Sequence, residues 1–266
     1  MEYYRRMNRE LWNELTPIHA GSEFYDVEGF KAGKSTLKAI ELEELGNVSG
    51  KSLLHLQCHF GLDTLSWARL GARVTGVDFS DRAIVMARSL SKELGIKADF
   101  IHSDIYELPE TLSSEFDIVF TSYGVLCWLA DLRQWGEIIA HFLKPGGTFY
   151  MVADHPLTNI FQSSEEDDEL KVTYSYFHTP EPAKWASPGT YADTSANVSH
   201  PAYEWTHSLS DVVNALISAK LCIDFVHEFP VCAWQRFPSM EQDEAGWWRL
   251  KGDNIPLSFS LKATRV

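Results

Sequence analysis

Residues 53–80 read LLHLQCHFGLDTLSWARLGARVTGVDFS, and this stretch decides the fold class. Two short apolar runs, at 52–57 and 72–79, flank a segment in which apolar residues recur every three or four positions between Leu62 and Leu70. Short runs rich in leucine and β-branched residues are typical of buried strands, and the spacing between them is typical of an amphipathic helix. The stretch therefore predicts a strand–helix–strand unit whose two strands lie parallel in one sheet.

The same alternation continues along the chain to residue 153. Ser80 and Asp81 form a plausible helix cap before a second helical pattern. Because each helix has one apolar stripe to bury, the pattern predicts an α/β fold with a doubly wound parallel sheet covered on both faces. The further strands are predicted at 98–104, 116–122 and 147–153, and the further helices at 81–94 and 131–143.

The alternation stops after residue 153. Residues 154–207 contain an acidic run at 165–169, several prolines and many aromatic residues, and are predicted to form an insertion over the carboxyl edge of the sheet. The run itself is expected to be a solvated loop. Regular patterns return with a helix at 210–220 and strands at 221–229 and 255–264.

Composition and charge limit the possible functions. The chain has 266 residues, of which 45% are apolar and 23% charged, as in ordinary globular proteins. Its formal net charge of −14 repels phosphate backbones and anionic lipids, so nucleic acid and membranes are not expected as partners. No run approaches the roughly 18 apolar residues of a membrane helix, and a cytoplasmic protein is expected.

The four cysteines predict neither a metal site nor a redox pair. They lie far apart in the sequence and form no CxxC motif, so reduced, packed thiols are expected. They are Cys58, Cys127, Cys222 and Cys232.

Three residues at predicted strand ends suggest a nucleoside site. In a doubly wound sheet, ligands bind outside the carboxyl ends of the strands, which places the loop after the first strand and Asp78 around one space. A carboxylate at Asp78 can accept both ribose hydroxyls, and Gly61 allows a ligand to approach the backbone. Asp104, at the end of the third strand, is placed to accept from an adenine amine.

The loop after the first strand favours a ligand without phosphates. A dinucleotide needs a glycine-rich G-x-G-x-x-G turn at a helix N-terminus, and here Gly61 is the only glycine of that loop. Asp63 falls in the first turn of the following helix, where it would repel a phosphate. S-adenosylmethionine carries adenine and ribose, no phosphate, and cationic sulfonium and ammonium groups, so an acidic pocket suits it.

At this point four motifs carry a family resemblance. LLHLQCHFG, VTGVDFS, FDIVFTSYGVL and LKPGGTFYMV, in this order, resemble the motifs of the class I S-adenosylmethionine-dependent methyltransferases. The resemblance implies a Rossmann-like seven-stranded sheet of order 3-2-1-4-5-7-6 with the last strand antiparallel. The resemblance covers the core and roughly the C-terminal elements, and leaves the N-terminal segment and the insertion unaccounted for. We expect one methyltransferase domain over 1–266, with an N-terminal lid or helices (1–49), a cofactor-binding core (50–153), a substrate-covering insertion (154–207) and a C-terminal helix and strands (208–266).

The first motif departs from the family pattern. His55, Gln57 and His59 stand where the family has an acidic residue and two glycines. The resemblance implies that the acidic residue of the family pattern holds the methionine amino group. Because this chain lacks that residue, Gln57, Asp63 or side chains of the N-terminal segment are the candidates to replace it. His55 itself is expected to be a hydrogen-bonded core residue, whereas His59 is placed either against the cofactor or in solvent. The residues predicted to bind the cofactor are Gln57, His59, Gly61, Asp78, Phe79, Asp104, Ile105 and Ser122.

Methyl transfer is an in-line displacement, so the protein has mainly to align the reactants and exclude water. A base is useful if the acceptor is a hydroxyl or an amine, and His155 and Tyr123, just past the fifth and fourth strands, are the candidates. The competing interpretation of His155 is an anchor for the start of the insertion. No metal is expected.

The N-terminal segment contains Tyr3, Tyr4, Trp12 and Tyr25, which would either close over the donor as a lid or pack against the sheet. The predicted function is methyl transfer from S-adenosylmethionine to a small-molecule acceptor. Two alternatives stay open: a non-catalytic protein that binds the cofactor or a metabolite, and a nicotinamide-dependent oxidoreductase. The acceptor, the attacked atom and the oligomeric state are not specified by the sequence.

Overall fold

A computed structural model describes residues 1–164, 167–186 and 189–266. Its centre is a seven-stranded sheet, and the predicted helix at 81–94 and strand at 221–229 lie at the expected bounds. The strands are β1 (Ser52–Leu56), β2 (Arg73–Asp78), β3 (Ala98–His102), β4 (Phe116–Thr121), β5 (Leu143–Asp154), β6 (Phe161–Ser164), β7 (Asp167–Val172), β8 (Ala183–Trp185), β9 (Ala202–Glu204), β10 (Leu221–Phe229), β11 (Glu241–Gln242), β12 (Trp248–Arg249) and β13 (Ser258–Arg265).

The strand order of the sheet is β3-β2-β1-β4-β5-β13-β10. Since β10 and β13 are its sixth and seventh strands along the chain, the predicted order 3-2-1-4-5-7-6 is confirmed. β1 to β5 pair in parallel, and β13 is antiparallel to both β5 and β10. The carboxyl ends of β1 to β5 therefore meet at one edge.

The helices follow the capping signals of the sequence. The Ser80 side chain accepts a hydrogen bond from the backbone N–H of Ala83 at the start of the helix after β2. The Asp131 side chain accepts one from the backbone N–H of Gln134 at the start of the helix before β5. The α-helices are α1 (Glu2–Ala20), α2 (Val27–Lys31), α3 (Ala39–Leu45), α4 (Leu62–Arg69), α5 (Asp81–Leu94), α6 (Leu108–Thr111), α7 (Leu132–Phe142) and α8 (Leu209–Ser218).

Alternating residues of the central strands are buried on opposite faces of the sheet. Leu54 and Val119 pack in the cluster that contains α7, whereas Leu53 and Phe120 pack with Trp67 of α4. Helices therefore cover both faces, and the doubly wound α/β fold is confirmed.

Two predicted strand starts are wrong by three or more residues. The last strand begins at Ser258 and not at residue 255. β5 begins at Leu143 and not at Gly147, because Leu143 pairs with Phe116 and Thr148 with Ile118, with the KPGG segment as an irregularity between them. Gly146 has φ +74° in this segment, a left-handed conformation that suits glycine.

Helix α1 joins the sheet to the insertion. Its buried residues Asn8, Leu11, Leu15 and His19 recur every three or four positions and form one face. The Asn8 side chain donates to the carbonyl of Tyr203 at 2.7 Å and accepts its N–H at 2.9 Å, which ties α1 to β9.

The insertion contains β6 to β9 as two small antiparallel pairs. Of the acidic run, Asp167 to Glu169 lie in β7 and not in a loop, while Glu165 and Glu166 lie outside the described residues. All four cysteines are free thiols. In the described part of the chain, none of the helices combines the length and apolar character needed to cross a bilayer.

Candidate functional site

A large cavity lies at the carboxyl edge of the sheet, beneath α1 and the insertion. Its volume is about 1510 Å³. The loops after β1 to β5 form its floor, and α1, the insertion and the segment around Trp234 form its walls. All the residues predicted to bind a cofactor line this cavity, namely Gln57, His59, Gly61, Asp78, Phe79, Asp104, Ile105 and Ser122.

The loop after β1 keeps the backbone shape of a glycine-rich turn without its glycines. Gln57 has φ +58° and His59 has φ +50°, both in the left-handed region that costs a non-glycine residue roughly 1–2 kcal/mol. The loop therefore holds two strained residues whose side chains line the cavity, and such strain is characteristic of functional sites.

Gly61 ends this loop and begins α4, with φ +81°. A Cβ atom there would lie 2.6 Å from the Phe100 ring and 3.1 Å from Ala87. Close packing of α4 and α5 on the sheet thus requires glycine at this position, whether or not a ligand also approaches the backbone there.

The side chains of Gln57 and His59 carry buried polar atoms without partners. Gln57 donates from Nε2 to the Val125 carbonyl at 3.2 Å, but its Oε1 has no hydrogen bond. His59 Nε2 lies 3.2 Å from His19 Nδ1, whereas His59 Nδ1 has no partner. The choice left open for His59 is settled against solvent, because the residue is largely buried against α1. Burial lowers the pKa of both histidines, to about 4 for His19, so the pair is neutral.

Asp78 ends β2 and is buried. Its two carboxylate oxygens accept the backbone N–H groups of His59 and Ser80, each at 2.8 Å. Burial raises the pKa of Asp78 to about 6, and the backbone hydrogen bonds oppose the shift. The carboxylate is thus ionised at neutral pH, oriented by the loop, and retains lone pairs for a ligand.

Asp104 follows β3 and is already paired. It accepts the N–H of Tyr106 at 2.9 Å and forms an ion pair of 3.2 Å with Arg5 of α1. Phe79 and Ile105 line the cavity beside these carboxylates. Helix α1 therefore reaches the end of β3 as well as the loop after β1.

His55 is a core residue, as expected from the sequence. Its Nδ1 lies 2.8 Å from Thr64 Oγ1 and its Nε2 lies 3.2 Å from Ser122 Oγ. Burial lowers its pKa to about 4, so the ring is neutral and orients the Ser122 hydroxyl at the end of β4.

The surroundings of Tyr123, one of the two candidate bases, favour its protonated form. Tyr123 lines the cavity, but its hydroxyl donates to Glu41 Oε2 at 3.1 Å. Burial and the Glu41 carboxylate raise the pKa of Tyr123 well above its usual range, so the phenol holds its proton. Glu41 is itself buried, which raises its pKa to about 7.

His155, the other candidate base, has surroundings that favour its competing interpretation as an anchor. The residue is buried outside the cavity lining, although its neighbours Asp154 and Pro156 line it. His155 Nδ1 accepts the N–H of Leu157 at 3.1 Å, and Nε2 lies 2.8 Å from Glu228 Oε1. The Nδ1 hydrogen bond and the close approach of Glu228 hold His155 at the start of the insertion.

Sequence reasoning missed three residues that line the cavity, Asn8, Glu204 and Arg236, and two that contact lining residues, His19 beside His59 and Glu41 beside Tyr123. Glu41 has a local signal, since it closes a capping box with the N–H of Lys38, but its contact with Tyr123 spans 82 positions. Asn8, His19, Glu204 and Arg236 have no local pattern that marks them. Among the described residues, no group of three or more His, Cys, Asp or Glu side chains is placed to hold a metal ion.

The fold and the cavity define a Rossmann-like α/β protein with a large cavity at the strand ends. Residues 53–147 match the model of a family described as a methyltransferase domain. The chain has the fold of the class I S-adenosylmethionine-dependent methyltransferases, so the fold implied by the four motifs is confirmed.

The solved structures agree on this fold. An S-adenosylmethionine-dependent methyltransferase from Mesorhizobium loti superposes with a TM-score of 0.60 at 20% identity, over 85% of this chain and 98% of that one. One from Clostridium acetobutylicum superposes with a TM-score of 0.55 at 13% identity, over 94% and 95%.

Among curated proteins, a ubiquinone biosynthesis O-methyltransferase from Aromatoleum aromaticum is 32% identical over 109 residues, which cover 41% of this chain and 46% of that protein. The chain therefore spans about half the length of this relative.

Proposed function

We propose that the protein transfers a methyl group from S-adenosylmethionine to a small-molecule acceptor held in the same cavity. The observation that carries the proposal is the loop after β1, where a left-handed backbone presents the unpartnered Gln57 Oε1 beside the ionised Asp78. The methyltransferase match over residues 53–147 supports it.

The residues at the ends of β1 to β3, which we call the donor side, fit such a ligand. Asp78 accepts the ribose hydroxyls, and Phe79 and Ile105 flank the adenine. Asp104 is placed to accept a hydrogen bond from the adenine amine, which would compete with Arg5 for the same carboxylate. Gln57 Oε1 is a free acceptor for the methionine ammonium group. When bound, the sulfonium supplies an electrophilic methyl group.

The donor side does not fit a dinucleotide. Asp63 lies in the first turn of α4, where a pyrophosphate would otherwise meet the helix N-terminus, and it accepts from Thr36 Oγ1 at 2.5 Å. A second carboxylate, Asp78, lies across the same loop. Two anions at this position repel a phosphate and attract a cation.

The protein contributes alignment and exclusion of water. Tyr123 retains its proton and His155 lies outside the cavity, so neither serves as a base. Ser122, oriented by His55, and Gly124 shape the floor at the end of β4. Helix α1 and the insertion cover the site, which sequesters the reactants.

The size of the cavity supports two small ligands. Its volume of about 1510 Å³ exceeds the roughly 300–1,000 Å³ of a single small-ligand site. The part away from the donor side is lined by residues of the insertion and of the segment that precedes β13. We call this part the acceptor side; its main residues are Asp154, Tyr174, Trp185, Tyr191, Glu204, Trp234 and Arg236.

The name of one relative bears on which atom of the acceptor receives the methyl group. The relative from Aromatoleum aromaticum is named as an O-methyltransferase, which favours oxygen. The acceptor side here is built from residues beyond 147, outside the matched family segment.

Calorimetry and a labelling assay test the function. The protein is titrated with S-adenosylhomocysteine and with NAD, and then incubated with methyl-labelled S-adenosylmethionine and a panel of phenols, amines and thiols. We expect binding of S-adenosylhomocysteine, no binding of NAD, and label in at least one acceptor. Binding of NAD alone would overturn the proposal, and donor binding without transfer to any of the panel would favour a non-catalytic binding protein.

A further inference from the structure

The acceptor side contains a carboxylate without a partner. Glu204 ends β9 and lines the cavity. Among the described residues its carboxylate forms neither a hydrogen bond nor an ion pair. An unpaired carboxylate beside apolar rings is costly, and burial raises the pKa of Glu204. A ligand that neutralises it would remove this cost.

The position of Glu204 is determined by its neighbours on both sides. Tyr203 is held by the two hydrogen bonds with Asn8 of α1. The backbone N–H of Trp205 donates to the carbonyl of Cys127, in the loop after β4, at 2.8 Å. Glu204 therefore faces the space beside the end of β4, where Ser122 and Gly124 form the floor.

The cation near Glu204 is Arg236, whose charge partly opposes the effect of burial on the pKa of Glu204 but whose close contacts are with other residues. Arg236 donates from Nη2 to Asn159 Oδ1 at 2.6 Å, and its Nη1 lies 3.6 Å from Asp154 Oδ2. Asp154 thus offsets the charge of Arg236, and Glu204 leaves this part of the cavity with one negative charge in excess. Arg236 Nε is buried without a partner and offers a donor to a neutral oxygen.

The insertion exposes aromatic rings to the same space. Tyr174 is 38% exposed, Trp185 39% and Phe177 72%, and all three line the cavity. Trp185 and Glu204 share one face of the β8–β9 pair, because Trp185 opposes Ala202 and Ala183 opposes Glu204. The Tyr174 and Trp185 rings meet edge to face, 5.2 Å apart. Aromatic faces beside a carboxylate attract organic cations.

We infer that the acceptor side binds an arylalkylamine, an aromatic ring that carries an alkyl ammonium group, with Glu204 holding the ammonium group and the rings of Tyr174 and Trp185 contacting the aromatic frame. The inference rests on the proposed function, because it names the substrate class of the same cavity. It assigns an anchoring contact and leaves the attacked atom open.

Calorimetric titrations with three indoles that share one ring system and differ in the charge of the substituent at position 3 test the inference. Tryptamine carries the ammonium group, indole-3-propionate carries a carboxylate, and 3-methylindole carries no charge. Each is titrated into the protein with and without S-adenosylhomocysteine. We expect tryptamine to bind at least tenfold more tightly than the other two.

Glu204→Gln keeps the shape of the side chain, and we expect it to remove the preference for tryptamine while the affinity for S-adenosylhomocysteine is unchanged. Glu23→Gln, at an exposed carboxylate of the same cavity, is the matched control and should retain the preference. Equal thermal midpoints show that the variants are folded.

Tighter binding of indole-3-propionate, or an undiminished tryptamine preference in Glu204→Gln, would overturn the inference. Failure of S-adenosylhomocysteine to bind would instead count against the proposed function, and the titrations without it would still measure the role of Glu204.

Discussion

The donor side and the acceptor side of the cavity differ in how the chain builds them. On the donor side each residue directly follows its strand, as Gln57 follows β1 and Phe79 follows β2. On the acceptor side Asp154, Glu204 and Arg236 come together from positions far apart in the sequence. The first arrangement is local and repeats a family pattern, whereas the second depends on long-range packing. Substitutions should therefore act on the two sides separately.

The largest effect is expected for Gly61→Ala on the donor side. The added methyl group would overlap Phe100, and φ +81° is left-handed, so we expect the free energy of unfolding to fall by about 3 kcal/mol. Gly95→Ala is the control, since Gly95 has φ +64° but open space around its Cβ position. Urea denaturation should show a loss of only about 1 kcal/mol there. Equal losses in the two variants would show that packing on Phe100 is unimportant.

Asp78→Asn should act on donor affinity. Loss of charge-assisted bonds to the ribose is expected to weaken binding of S-adenosylhomocysteine by about 1.5–3 kcal/mol, measured by calorimetry. The exposed Asp99→Asn on β3 serves as the control and should bind normally. An unchanged dissociation constant for Asp78→Asn would remove Asp78 from the donor site.

Two asparagines of α1 allow the independence of the donor side and the acceptor side to be tested. Asn8 bonds to Tyr203 on the acceptor side, whereas Asn13 bonds to Ser80 and Asp81 on the donor side. We expect Asn8→Ala to lower the free energy of unfolding by about 1.5 kcal/mol and to weaken tryptamine binding. Asn13→Ala should weaken S-adenosylhomocysteine binding instead. The same pattern of losses in both variants would contradict independent sides.

Donor affinity should also depend on pH through Asp78, whose pKa is about 6. The ribose hydroxyls bind the ionised carboxylate, so affinity is constant above neutral pH and falls as the pH drops through 6, by at most about tenfold per pH unit. Calorimetry between pH 5.5 and 8 measures this slope. The slope should vanish in Asp78→Asn, and its persistence there would assign it to another group.

The smallest effect is expected at the ion pair between Arg5 and Asp104. Both side chains are partly exposed, so Arg5→Ala should cost less than about 1 kcal/mol of stability. High salt should reduce this difference. A larger, salt-insensitive loss would indicate that Arg5 holds α1 in place by other contacts.

The sheet could be predicted because its signals are local. Apolar runs and helical spacing need only a few neighbouring residues, and the caps at Ser80 and Asp131 lie beside the helices they begin. The errors occurred where distant contacts decide. Leu143 joins β5 by pairing with Phe116, and Asp167 joins β7 by pairing with Ser164.

The site was predicted in part for the same reason. Residues that end strands or directly follow them, such as Asp78 and Ser122, line the cavity as expected. His155 and Tyr123 also follow strands, but burial and the partners Glu228 and Glu41 determine what their side chains can do. Those partners lie 73 and 82 positions away, and no local pattern connects them.

The sequence by itself determined the α/β fold, the strand order implied by its motifs, and the donor-side residues, because each depends on patterns within a few residues. Only the tertiary structure decided the acceptor side. Helix α1 reaches Tyr203, His59 and Asp104 from the far end of the chain, and the unpaired Glu204 can be recognised only when every neighbour is known. Burial and charge pairing are properties of three-dimensional surroundings, which residue types and spacing do not contain.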